Sequence, residues 1–148
     1  MRVSEVTSTV PTMFHPWRAL RELTHIDVTW QNMDGTLGLT DGKSLIVMNP
    51  HQSQRQRRCT LAHELAHIEL GHINGATDAE EAQAREHAAR QLIPIDRLMD
   101  ALRWADNLSE VANELWVDEQ TLMDRIDTLT ADERQGLIDL HATIEQGA

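Results

Sequence analysis

His63 and His67 stand four residues apart in His63-Glu64-Leu65-Ala66-His67, inside a stretch from about Ser53 to Leu70 that reads as one helix. On a helix, residues at that spacing lie one above the other, so both imidazoles point the same way and can hold one metal ion. Glu64 lies one step round from His63. From there its carboxylate reaches a water beside the metal rather than the metal itself, the arrangement that metal-assisted hydrolysis requires. The alternative for so short a motif is an ordinary helix with surface histidines. Against it, Cys59, Leu61, Ala62, Leu65, Ala66 and Ile68 give the helix a mostly apolar surround. Two imidazoles and a carboxylate buried there without a partner would be costly.

A tetrahedral catalytic site needs a third protein ligand and leaves the fourth position to water. The pattern H-E-x-x-H-x-x-G-x-x-H needs glycine at position 70 and histidine at 73, whereas this chain has Leu70, Gly71, His72 and Ile73. His72, five residues past His67, points to a different face of the helix, which Gly71 is expected to end. A second helix is expected from about Asp78 to Leu92, with an apolar stripe through Ala84, Ala88 and Leu92. At about 100° per residue, Glu81 falls within that stripe, Glu80 at its margin and Glu86 on the far side. Glu81 is therefore the expected third ligand. The competing role for it is a cap or ion pair at a helix start, where acids are favoured in any case.

The ordered series Arg57-Arg58-Cys59-Thr60-Leu61-Ala62-His63-Glu64-Leu65-Ala66-His67, then Leu70-Gly71-His72, Glu81-Ala82-Gln83-Ala84, Ala88-Ala89 and Leu92-Ile93-Pro94 resembles the ImmA/IrrE family of metallopeptidases. The resemblance covers roughly residues 14 to 100. It implies zinc held by His63, His67 and Glu81, with Glu64 activating water. It also implies a setting in bacteria, their phages and mobile elements, and a link to cleavage or inactivation of helix-turn-helix repressors.

Two departures fall next to the site. Where the family often carries E-x-x-A-N-x-F-A, this chain has Arg85 and His87, and Cys59 stands where an aromatic usually precedes the Thr. The presumed ligands are untouched, but the residues that orient them differ. The chain also has no tyrosine. A donor to the oxyanion of a peptide hydrolysis must then come from elsewhere. His72, Arg85 and His87 are the candidates for oxyanion or second-shell roles. For His87 the alternative is a polar place on the outer side of its helix, and for Arg85 a pairing with Glu81 or Asp78.

At 148 residues the chain suits one compact domain. No apolar run reaches membrane-spanning length, and the first twelve residues lack both a basic start and an apolar run, so they read as a loose arm rather than a signal peptide. A single cysteine, Cys59, excludes an internal disulfide and fits a reducing cytoplasm, here that of a bacterial host. Cys59 is four residues before His63. It is a possible neighbour of the metal, and more commonly such a cysteine is a small buried hydrophobe. The net charge of −11 argues against nucleic-acid binding. The one basic cluster, Arg55, Arg57 and Arg58, either anchors an acidic substrate or solvates a helix start, the second being favoured.

The expected fold class is α+β. A first helix spans Phe14 to Thr24, followed by strands at Ile26 to Trp30, Thr36 to Thr40 and Ser44 to Met48. Asp34-Gly35 and Asp41-Gly42 between them signal hairpins, so the expectation is a small antiparallel three-stranded sheet packed on the H-E-x-x-H helix in a zincin-like core. Thr36 to Leu39 is the expected edge for an incoming peptide strand. Residues 1 to 104 form this core, with 1 to 12 as the arm, and residues 105 to 148 a helical extension packed on it within the same compact unit. Helices are expected at Ile95 to Trp104, Leu108 to Leu115, Asp118 to Leu129 and Ala131 to Glu145, with Trp104 and Trp116 as core or interface anchors.

The segment from Leu108 to Arg125 scans like a helix-turn-helix. Its second helix, however, carries Asp118, Glu119, Asp124 and Asp127 against Arg125 alone, a surface that repels phosphates. It reads as a packing or partner-binding element. The resulting expectation is a cytoplasmic zinc endopeptidase with narrow specificity for a protein partner, a helix-turn-helix repressor. No nucleic acid or membrane is involved. The alternative is a metal-containing regulator that acts by binding a repressor or host factor without cleaving it.

Overall fold

The computed structural model of the chain describes residues 13–73 and 75–147; the arm expected over residues 1–12 lies outside the described residues. Among the described residues, seven helices and three strands follow one another as α1 (Pro16–Glu22), β1 (Asp27–Trp30), β2 (Gly38–Thr40), β3 (Leu45–Met48), α2 (Gln54–Leu70), α3 (Asp78–Leu92), α4 (Ile95–Trp104), α5 (Leu108–Leu115), α6 (Glu119–Asp127) and α7 (Ala131–Gly147). The architecture is α+β with a helical C-terminal part.

Helix α2 is the axis of the molecule. Ser53 starts it with a capping box: its side chain accepts from the Gln56 N–H while the Gln56 side chain accepts from the Ser53 N–H. Leu61 and Leu65, one turn apart, join Ile26, Ile46 and Met48 in a buried cluster between the helix and the sheet, with Trp17, Leu20 and Leu23 of the α1 region packed against it. A different stripe of α2, Cys59, Ala62 and Ala66, is buried with Ala84, Ala88 and Leu92 of α3, Leu98 of α4, Val111 of α5 and Leu122 of α6. Small side chains on both α2 and α3 let the two helices approach closely. That closeness brings Glu81 within reach of the α2 histidines.

The sheet corrects the expected antiparallel meander. Its order is β1-β3-β2, with β3 antiparallel to β2 but parallel to β1. Asp41-Gly42 does form a hairpin: the Asp41 carboxylate accepts the N–H groups of Lys43, Ser44 and Leu45, and Gly42 sits at φ +80°. Asp34-Gly35 also turns the chain, with Gly35 at φ +79°, but loop 31–37 carries it across the end of β3 rather than back along β1. Buried Asn49, just past β3, fixes that crossing. Its side-chain amide donates to the carbonyls of Met33 and Thr36, and its backbone N–H donates to Leu37. A turn signal specifies a local reversal; which strand becomes the neighbour depends on distant contacts such as those of Asn49, sixteen residues beyond Met33. Strand β2 is consequently an edge strand.

The helical C-terminal part is tied down by Arg125, only 2% exposed, which donates to the Ile93 carbonyl and makes a two-pronged pair with Glu133, a residue also held by Arg90. Arg125, the one basic residue a groove-reading α6 would have used, is thereby consumed inside the protein. Trp104 and Trp116 are not core residues, being 76% and 50% exposed. Hydrogen bonding to Arg125 pulls the Glu133 carboxyl from the usual 4.5 down to about 2. Because the folded-state value lies below the ordinary one, this pairing stabilises the fold above about pH 4.5 and the contribution is lost as pH falls toward 2. Glu133→Gln is expected to lower stability by about 2 kcal/mol at neutral pH, leaving Arg125 buried without its counter-charge. The loss should shrink below pH 4 in urea melts; a loss independent of pH would contradict the ion-pair account.

Candidate metal centre

The α2 face between the two buried stripes carries Thr60, His63, Glu64 and His67. Helix α3 faces it from a second capping box, in which Thr77 accepts from the Glu80 N–H and the Glu80 carboxylate accepts from the Thr77 N–H. Glu80 is thus committed to starting the helix. Glu81, one step round, turns toward α2: its Oε1 lies 3.0 Å from His63 Nε2 and its Oε2 3.3 Å from His67 Nε2, while the two Nε2 atoms are 3.2 Å apart. These three residues form a group that could hold a metal ion, its candidate ligand atoms all within 4.8 Å of one another.

No ion is part of this structure, so the fit rests on donor chemistry. Four ligands on a tetrahedron with bonds of 2.0–2.1 Å sit about 3.3 Å apart. Separations of 3.0 to 3.3 Å between two imidazole nitrogens and a carboxylate match that spacing. Burial, and then the neighbouring His63, push the His67 pKa down, which favours the neutral, ligating form. Burial alone would raise the Glu81 carboxyl, but hydrogen bonds and charge from His63 and His67 outweigh it and lower its pKa. Two imidazoles and a carboxylate with an open side suit zinc.

Glu64 does not join the ligand group. It is 6% exposed, and burial followed by repulsion from Glu81 pushes its carboxyl up to about 8. A cation beside it would counter that shift. What permits its position is Gly38: a Cβ there would stand 2.6 Å from Thr60 Cγ2 and 3.3 Å from both Glu64 Cγ and Oε2. Glycine inside a strand is the mark of a close backbone approach, a signal present in the sequence but not used to place the site. The cleft extends both ways from His63, Glu64 and Glu81. One lobe, of about 230 Å³, runs past Leu39 and Thr40 to Gly75 and Ala76; the other, of about 380 Å³, runs along Gly35 to Gly38 toward Arg85, Asp118 and Asp124.

His72 stands behind His67 rather than in the open position. Gly71, at φ +76°, ends α2 in the left-handed conformation, and the His72 N–H returns to the His67 carbonyl, a reversal that plants one ring against the other. His67 Nδ1 is 3.0 Å from His72 Nδ1, and His72 Nε2 is 3.0 Å from Gln83 Oε1. One tautomer pattern satisfies the chain. His67 keeps its Nε2 lone pair for a metal and donates Nδ1–H to His72, which donates Nε2–H to Gln83. Gln83 was not foreseen, since nothing in the sequence distinguishes it from any exposed helical glutamine. His72→Phe is expected to weaken metal binding about 10- to 100-fold, as for other partners that orient ligating histidines. Competition against a chromogenic chelator measures this; unchanged affinity would contradict the relay.

Of the other expected site residues, Arg85 lies at the wall of the wider lobe, the only Arg or Lys among the described residues that lines either lobe. His87 is not brought to the site. Its Nε2 is 3.4 Å from Glu69 Oε2 and it lines a separate depression with Leu70, because it lies two helical steps beyond Arg85. Cys59 is buried, and its sulfur accepts from the Asp118 N–H at 3.4 Å, so it serves packing between α2 and the start of α6. No curated protein and no solved structure matches the chain. A family model does: that of the IrrE N-terminal-like domain, the M78 peptidase family, over residues 22–134.

Proposed function

The chain belongs to the M78 peptidase family through its IrrE N-terminal-like domain, and on that premise we propose that it is a zinc-dependent endopeptidase with narrow specificity for a protein partner, a helix-turn-helix repressor of a phage or mobile element. The observation that carries the reading is the convergence of His63, His67 and Glu81 beside a buried Glu64 at an open edge strand. Zinc bound there would polarise a water and the scissile carbonyl. Glu64 takes the proton from the attacking water and passes it to the leaving nitrogen, the two halves of general base and general acid catalysis. Strand β2 offers its unpaired edge to an extended substrate, whose backbone it aligns by strand addition. The missing side chain at Gly38 keeps that edge close to Glu64. His72 holds His67 in its ligating tautomer. Arg85, at the wall of the wider lobe, is the residue assigned to the substrate carbonyl or a nearby acidic group.

Both ring nitrogens of His72 are engaged and His87 is elsewhere, so among the described residues Arg85 stands alone as a cationic donor at the cleft. That scarcity supports a second reading, a metal-containing protein that inactivates a repressor by binding it. Incubating the zinc-loaded protein with the purified repressor encoded nearest to it separates the two. The peptidase reading expects discrete fragments by mass spectrometry, lost on chelation and restored by zinc. A repressor silenced with its chain intact would establish the binding reading instead.

A further inference from the structure

Three of the four tryptophans, Trp17, Trp30 and Trp116, line one cavity of about 390 Å³ together with Gln54, Arg57 and Arg58. None of these residues lines the metal cleft. Trp17 and Trp30 are stacked, with centroids 6.0 Å apart, and the Arg57 guanidinium lies 5.1 Å from the Trp30 ring centroid. The helix-start basic cluster is therefore not simply solvated. Arg58 is 9% exposed and donates to the Trp116 carbonyl; Arg57 donates to the Pro50 carbonyl, and its Nε is buried without a partner. Among the described residues neither guanidinium has a carboxylate within ion-pair distance. Among the described residues this positive charge has no counter-charge, and such burial is costly unless paired, in a chain whose net charge is −11.

The cavity continues past Trp116. A second one, also of about 390 Å³, shares Arg58 and Trp116 and adds Met13, His15, Arg97 and Leu115, with Glu114 as its single acid. Two cavities that share Arg58 and Trp116 offer adjoining room for successive side chains of an extended segment. Trp116 itself closes α5 in the left-handed region at φ +57°, where a non-glycine side chain is strained by about 1 kcal/mol or more. In that conformation its half-exposed indole lines both cavities.

We infer that this groove docks an acidic segment of a protein partner in which an aromatic side chain stands beside Asp or Glu. The carboxylates meet Arg57, Arg58 and Arg97, and the aromatic ring lies against the tryptophans, which supply broad contact area at low entropic cost. Acidic surface elsewhere on the chain repels such a segment and confines it to this face. The inference is independent of metal and of hydrolysis, so its test reads binding alone. A capped hexapeptide with one phenylalanine flanked by glutamates contains no tryptophan, and intrinsic fluorescence of the full chain then reports directly on the groove.

Saturable binding is expected, weakened about tenfold or more when the flanking glutamates are replaced by glutamine, and similarly in Arg57→Gln and Trp116→Gly proteins. Trp116→Gly is the cleaner variant, because glycine accepts the left-handed backbone and the fold survives, as an unchanged melting temperature would verify. Absence of saturable binding, or equal affinity for the uncharged peptide or in both variants, would overturn the inference. N-acetylphenylalanine binding as tightly as the peptide would overturn it in favour of a small-molecule pocket. Self-association abolished by Trp116→Gly would do so in favour of a second copy of the chain.

Discussion

Glu64→Gln abolishes hydrolysis and spares both metal and fold: the expected fall in cleavage rate is about 100- to 10,000-fold, the range assigned to a positioned general base. The basis is the separation of roles on α2. His63 and His67 give their Nε2 atoms to the ligand group, whereas the Glu64 carboxylate is directed past them toward Gly38 and lines both lobes of the cleft. Glutamine has nearly the same shape and fits against Thr60 and Gly38 as glutamate does. It also removes a charge that burial disfavours, so stability should not fall. Three measurements on one preparation decide the matter: cleavage rate, zinc content and melting temperature. Full activity would remove Glu64 from the chemistry, and loss of zinc would make it a ligand.

The second large effect distinguishes two adjacent glutamates of similar exposure to solvent. Glu81→Ala removes one of the three proposed ligands and should weaken zinc binding by more than about 100-fold, beyond the loss seen when an orienting partner of a ligand is removed. Glu80→Ala removes one half of the Thr77 capping box and should cost about 1 kcal/mol of stability with zinc affinity retained. Isothermal titration of zinc into the metal-free variants, beside thermal melts, gives both numbers. If Glu80→Ala lost the metal and Glu81→Ala kept it, the helix-face argument for the third ligand would be wrong.

Glu81 lies beside the histidines, and the sequence features that pointed to its helix face are local. The apolar residues along the two helices mark them out, and the angle around α3 separates Glu81 from Glu80 and Glu86. Helices α3, α4 and α5 have the bounds that their apolar periodicity suggests. Long-range pairing was another matter. Asp34-Gly35 looks like a hairpin turn, yet the neighbour of β1 depends on distant contacts such as those of Asn49, which no local pattern reveals. His72 was visible as a histidine past a helix end, but its contact with the back of His67 depends on the left-handed Gly71. Arg57 and Arg58 looked like a solvated helix start because the tryptophans facing them come from α1, β1 and the α5–α6 turn. Those residues meet only in three dimensions.

Two imidazoles and one carboxylate are proposed to hold a metal beside Glu64, and zinc-edge X-ray absorption of the zinc-loaded chain reads that coordination. The predicted spectrum is a nitrogen and oxygen shell at about 2.0–2.1 Å with the outer-shell scattering of two histidines. A sulfur shell at about 2.3 Å, which would bring in Cys59, would contradict it. So would the scattering of three histidines, which would make His72 a ligand, or a chain that retains no zinc at all.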